Sequence, residues 1–303
     1  MTAYPLRLLA FDGAFNLPIW IGQSRGLFAG RGLVVSLAYT PNSRFLVQAL
    51  MNGEADIGLC GFDNIAAYQL GQGEAELPER PDLRAFMGGD GGFLSLVARP
   101  GITSLQALAG CTLSVDALTT GFAFVLRDML AQAGLSEQGV RIVSAGGTAT
   151  RYQQLLAGSH DATLLRAPYE RLAAAQGLRI LAHAGPLIGP YMGTVGAARQ
   201  RWLDAHAAQA RAFMQAYREA VDWLHVPAHR PKACGELMAR HEGLDAATAA
   251  CVLDDLLASD GGLQRDLALE PHRLRGVLAI RARHTGLADI PEPTNFVASV
   301  MPR

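Results

Sequence analysis

Through roughly the first two hundred residues, short apolar runs alternate with stretches whose apolar positions recur every three or four residues. The runs have the length of buried strands, and the three-to-four spacing is that of helices burying one face. Residues 6–11 (LRLLAF) predict a first strand ending at Asp12-Gly13, and 16–28 a helix with Pro18 in its first turn. Gly30 and Gly32 break that helix, 33–37 predict a second strand, and 43–51 a helix capped by Asn42 or Ser43. Gly53 stops it, 56–60 predict a third strand, and Asp63 caps a helix through Leu70. A charged loop with Pro and Gly covers 71–82, and strands at 83–88 and 94–98 flank Gly89-Asp90-Gly91-Gly92.

The pattern then starts afresh. Residues 104–108 predict a short helix and 111–115 a buried strand. After the polar turn 116–121 a helix carries Phe122, Val125, Leu126, Met129 and Leu130 at helical spacing. Strands follow at 140–143, 162–165 and 179–181, with helices ending at Leu156 and Gln176 between them. From 199 to 286 the pattern is almost wholly helical, and the Pro-rich IPEPTNF closes the chain. Strands and helices alternating at these lengths argue for α/β layering with mostly parallel strands. Such sheets bind ligands beyond the carboxyl ends of their strands, so the turns at Asp12, Asn42, Gly61 and Gly89 belong to one rim.

A weak internal echo divides the chain in two. QALMNGEAD at 48–56 resembles QQLLAGSHD at 153–161, with both the glycines (53 and 158) and the aspartates (56 and 161) 105 residues apart. Each glycine suits a left-handed helix end, and each aspartate leads into the next strand. Five residues further on stand Gly61 and Arg166, which two similar halves would set opposite each other across a shared cleft.

Candidate chemistry gathers where strands turn into helices. The turn before the 122–130 helix leaves backbone N–H groups unpaired, and these, with the Thr119 and Thr120 hydroxyls, suit an oxygen-rich ligand. Equally, Thr119 or Thr120 simply caps the helix. The formal charge of −1 argues against a nucleic-acid surface. Cys60, Cys111, Cys234 and Cys251 form no CxxC pair, so neither a zinc nor an iron–sulfur site is expected, and packing accounts for them. Lys232 is the sole lysine. The start of the chain has no basic, apolar leader, and no run of about twenty uncharged apolar residues predicts a membrane span.

The stretches LxxGxxDIG, SLQALAGCTLSVDALTTGFAF and LLAGSHDATLLRAPY, in this order, resemble the type II periplasmic (solute-)binding proteins of ABC transporters. The branch is the one that binds nitrate, aliphatic sulfonates, taurine and thiamine-pyrimidine precursors. The likeness covers residues 5–225, and the pattern Leu-x-x-Leu-x-Gly-x-x-Leu-x-Val over 105–115 is its most specific part. It implies an α/β fold of two lobes with mixed, mostly parallel sheets and a helical C-terminal region. Lobe one would be 1–96 plus 192–303 and lobe two 97–191, closing on a small molecule without a cofactor or metal.

The ligand-binding residues it implies are Asp12, Phe15, Asn16, Asn42, Arg44, Gly61, Phe62, Asp63, Asp90, Asp116, Thr119, Thr120, Gly121, Arg166 and Tyr191. Each has a plain alternative: Asp63, Asn42 and Thr119 as helix caps, Arg44 and Arg166 as rim ion pairs, the aromatics as core. The arginines suit an anion, whereas the aspartates suit a ligand carrying donors. The implied partners are a small solute, a membrane permease and its ATPase, and the implied compartment is the periplasm if a leader was removed. The alternative is a cytoplasmic enzyme on the same fold, of decarboxylase, dehydratase or desulfinase type, acting on a small organic acid through Cys60. Cys60 would then need a nearby base or cation. A pyridoxal enzyme of this fold is not expected, because Lys232 lies in the C-terminal helices. The same fold serves as the effector domain of transcription regulators, but the DNA-binding helices these carry upstream have no counterpart in this sequence.

Overall fold

Two five-stranded sheets carry the fold in a computed structural model that describes residues 3–298. In chain order the strands are β1 Tyr4–Ala10, β2 Leu33–Tyr39, β3 Ile57–Gly61, β4 Leu83–Gly88, β5 Ser95–Ala98, β6 Thr112–Val115, β7 Arg141–Ser144, β8 Ala162–Leu165, β9 Arg179–His183 and β10 Thr194–Arg199. The helices of the two α/β halves are α1 Leu17–Ser24, α2 Ser43–Met51, α3 Phe62–Gln69, α4 Gly121–Gln132, α5 Thr148–Leu156, α6 Tyr169–Ala175 and α7 Gly185–Ile188. The C-terminal region supplies α8 Gln200–Ala205, α9 Ala207–Leu224, α10 Arg230–Arg240, α11 Ala246–Leu257 and α12 Pro271–Thr285.

The strand orders are β2-β1-β3-β10-β4 and β7-β6-β8-β5-β9. β1 pairs parallel with β2 and β3, and β6 with β7 and β8. β10 runs antiparallel to β3 and β4, and β5 antiparallel to β8 and β9. Four strands of each sheet therefore point one way and the fifth opposes them. The opposing strand is the one each half sends to the other: β5 leaves the first set of strands for the second sheet, and β10 returns. The chain thus crosses between lobes at 89–94 and again at 184–193.

The echo in the sequence is a structural repeat. Gly53 and Gly158 follow α2 and α5 with φ of 71° and 73°. Asp56 accepts the Arg7 N–H of β1 at 2.8 Å, and Asp161 accepts the Thr112 N–H of β6 at 2.8 Å. Arg7 and Thr112 differ by the same 105 positions as the aspartates. Each carboxylate also holds a guanidinium, Arg7 at 2.6 Å and Arg99 at 2.7 Å.

β10 carries no strand signal of its own. Its central Gly196-Ala197-Ala198 has weak strand propensity, but the neighbours require small residues there. A Cβ at Gly196 would come within 2.5 Å of the Met87 side chain. The first helix is also shorter than its pattern, ending at Ser24 before Gly26 at φ 69°. Cys251 is exposed and packs in no core, contrary to its expected role.

The C-terminal helices bind the halves together. α9 packs on α1, with Phe213 stacked on Phe28 at 5.6 Å. α12 packs against both α3 and α4, one helix from each half. The IPEPTNF segment closes over the first lobe, where Phe296 meets Phe62 edge-on at 6.0 Å and Ala298 N–H bonds Ala85 O at 2.8 Å.

Candidate functional site

Between the carboxyl ends of the two sets of parallel strands lies a small cavity of about 40 Å³, room for about three waters. The first lobe contributes Phe15 after β1, Cys60 and Gly61 at the end of β3, and Asp63 and Asn64 in the first turn of α3. From the second come Asp116 after β6, Thr120 and Gly121 at the start of α4, Thr148 and Arg151 of α5, and Arg166 after β8. Tyr191 and Thr194, on the return crossing and at the start of β10, close it.

Three helices begin at this cavity without a side-chain cap. The Ncap positions of α3, α4 and α5 are Gly61, Thr120 and Gly147, and none makes a side-chain capping bond. The Thr120 hydroxyl instead donates back to Ala117 O at 2.9 Å. Helix starts of this kind favour negative charge. At α4 that charge is partly met across the cleft, since a Cβ on Gly121 would lie 2.4 Å from the Asp63 Cβ. The lobes touch around the rim: Gly147 N–H bonds Pro41 O at 3.1 Å, and Ala14 N–H bonds Ala167 O at 2.8 Å. Thr119 donates its N–H and hydroxyl to Glu74 at 3.0 and 2.7 Å.

Most charges here are matched within the protein. Arg281 is fully buried and grips both Asp63 oxygens at 2.6 Å, while also donating to Thr119 O at 3.0 Å. Arg166 donates to Asp90 at 2.7 Å and Thr194 at 3.0 Å. Its guanidinium carbon lies 4.1 Å from the Phe15 ring centre and 4.9 Å from that of Phe93. Two cavity groups are left without such a match. Arg151, 2% exposed, donates to Gly146 O and Thr163 Oγ1 at 2.9 Å and to Thr148 Oγ1 at 3.3 Å, and also to Leu164 O. Among the described residues no carboxylate reaches ion-pair distance of it; burial pulls its pKa down to about 10, against the opposing pull of the nearby Asp116 carboxylate. Asp116 has a buried oxygen, Oδ1, with no hydrogen-bond partner among the described residues. Burial pushes its carboxyl up, against the pull of Arg151 and Ser43.

Of the residues expected at the site, Phe15, Gly61, Asp63, Asp116, Thr120, Gly121, Arg166 and Tyr191 meet at the cavity, as does Cys60. The other seven do not line it. Asp12 accepts the Tyr169 hydroxyl between lobes. Asn16 is fully buried and ties down the turn after β1, donating to Phe11 O at 2.8 Å and Gly13 O at 3.0 Å. Asn42 caps α2 through the Phe45 N–H at 2.9 Å, and Arg44 is exposed. Phe62 is core, Asp90 holds Arg166 and the Gly92 and Thr194 N–H groups, and Thr119 is engaged by Glu74. Arg151 was not expected at the site. Its one local signal is an arginine in the first turn of a helix, where the dipole disfavours a cation.

The family model described as the NMT1-like family matches residues 14–238. No curated protein matches the chain in sequence. Among solved structures, the alkanesulfonate-binding protein SsuA from Xanthomonas axonopodis pv. citri, bound to MOPS, is 17% identical, with a TM-score of 0.76 over 98% of this chain and 99% of that one. The periplasmic nitrate-binding protein NrtA from Synechocystis PCC 6803 is 12% identical, with a TM-score of 0.78 over 97% and 84%. A ligand-binding component of an ABC-type import system from Staphylococcus aureus, solved with zinc bound, is 14% identical, with a TM-score of 0.77 over 97% and 96%. The two-lobed architecture is thus that of periplasmic binding proteins, and the chain belongs to the NMT1-like family.

Proposed function

We propose that this protein is a solute-binding component of an ABC-type importer, a clamp that closes on a small anionic solute in the periplasm and presents it to a membrane permease and its ATPase. The clamp's halves are 1–96 with 192–303 and 97–191, hinged at the two chain crossings. The observation that carries the reading is Arg151. A buried cation with neutral hydrogen-bond partners only, beside uncapped helix starts, is a receptor for an anionic group. Asp116, close enough to Arg151 to feel its charge and with a buried oxygen left without a partner among the described residues, would take up a hydrogen bond to the same ligand. The ligand binds where both lobes contribute, so closure excludes water and strengthens each charged contact.

The enzyme alternative rests on Cys60 as nucleophile, and the cavity makes that thiol a poor one. Burial pushes the Cys60 thiol up to about 12, leaving it protonated at neutral pH. Among the residues lining the cavity there is no histidine. Among the described residues no helix is long and apolar enough to cross a membrane.

The test is a thermal-shift screen of nitrate, sulfonates, aromatic carboxylates, pyrimidines and amines, followed by calorimetry on the hits. An anion that raises the melting temperature by mass action supports the clamp. Stabilisation by no compound, together with turnover of one of them, would return the enzyme reading.

A further inference from the structure

A second and larger hollow, about 620 Å³, lies against the two chain crossings. Its wall takes residues 91–94 of the first crossing, Ser95 at the start of β5 and residues of the 185–191 segment of the second, with α6, the end of α11 and the start of α12 completing it. Among the described residues Tyr191 alone lines both this hollow and the cleft cavity.

Glu170, the second residue of α6, lines the hollow and is 6% exposed. Its Oε2 is buried with no hydrogen-bond partner among the described residues. A buried carboxyl oxygen left unpaired is costly. No neighbouring cation reaches its Oε2 among the described residues: Arg171 holds Asp255 at 2.7 Å, and Arg273 lies 2.5 Å from Glu270. Asp260, fully exposed, lies 3.9 Å from Arg273, so among the carboxylates that line the hollow it is Glu170 that carries a buried oxygen without a partner among the described residues. His183, whose Nδ1 lies 3.0 Å from Ser95 Oγ, and His272 add imidazole edges. Phe93, Pro186 and Pro190 supply carbon surface.

We propose that this hollow is a second ligand site, taking a small organic ammonium ion whose N–H groups pair with Glu170 while its carbon frame lies against Phe93 and Pro190. A bare metal ion fits less well, because among the described residues no three His, Cys, Asp or Glu side chains converge to hold one. Burial holds the Glu170 carboxyl up at about 7, so an arriving cation also favours release of its proton. An occupant would touch both crossings, and its influence on closure rests on the clamp reading. Its binding does not.

Benzylammonium chloride is titrated into the full chain by calorimetry, with benzyl alcohol as the neutral match. Benzylammonium binds and the alcohol does not. Glu170→Gln weakens binding by roughly thirtyfold or more, the low end for truncating one partner of a buried charge pair. Ala258→Phe, which fills the hollow and leaves Glu170 in place, does the same. Asp116→Asn, which alters the cleft, keeps benzylammonium binding. The site is overturned by no binding to the unaltered chain, by equal binding of the alcohol, or by affinity unchanged in both hollow variants. Loss in Asp116→Asn alone would place the ion in the cleft instead. Cleft ligands from the anion screen bind Glu170→Gln as before, so this proposal and the transport reading fail separately.

Discussion

Replacing Arg151 with methionine separates a binding cation from a structural one. Burial that brings its pKa down to about 10 corresponds to roughly 3 kcal/mol against the charged form, at about 1.4 kcal/mol per pKa unit. Methionine removes that cost and also removes four hydrogen bonds, to Gly146 O, Thr163, Leu164 O and Thr148. At about 1–1.5 kcal/mol each, the bonds outweigh the desolvation, and the unliganded protein loses a net of about 1–3 kcal/mol. Ligand binding falls much further if the guanidinium meets an anion. Truncating one member of a buried charge pair costs about 2–5 kcal/mol, or at least roughly thirtyfold in affinity. Calorimetry with the best anion from the screen measures the affinity, and urea melts of both unliganded proteins measure the stability. An anion affinity unchanged in Arg151→Met, with the variant folded, refutes the assignment.

Glu170 makes stability depend on pH. Burial, with Asp255 adding to it and Arg171 and Arg166 opposing it, raises the carboxyl from 4.5 to about 7. The native state then holds its proton more tightly than the unfolded chain, so stability falls as pH rises through that window, by about 3 kcal/mol in total. Glu170→Gln removes this loss, so its advantage over the parent grows between about pH 5 and about pH 8; a constant advantage in urea melts would contradict the shift. In Gly121→Ala the new Cβ meets Asp63 at 2.4 Å and props the lobes apart. Ligand affinity drops about tenfold, some 1.4 kcal/mol, with the unliganded melting temperature little changed, and an unaltered affinity argues that the lobes need not close. Thiol labelling of the native protein followed by peptide mapping marks exposed Cys251 and spares Cys60. Cys60→Ser keeps ligand binding, whereas rapid labelling of Cys60, or turnover abolished by that substitution, would revive the enzyme.

What the sequence determined by itself was set by neighbours in the chain. Strand and helix periods, the glycines at helix ends and the repeated Gly-x-x-Asp mark two α/β halves and their shared rim, because each signal is read within one turn or strand. β10 escaped, since Gly196-Ala197-Ala198 becomes a strand only where Met87 leaves no room for anything larger. The charges escaped for a deeper reason. Asp63 is matched by Arg281, 218 residues away, and Asp90 by Arg166, 76 residues away. A carboxylate looks alike in sequence whether a distant guanidinium answers it or a ligand must. Only the tertiary structure decided that Asp63 and Asp90 are each held by a guanidinium at hydrogen-bond distance while Arg151 and Asp116 feel each other only from beyond it, because Coulomb partners are chosen by distance in space and by the water that burial removes.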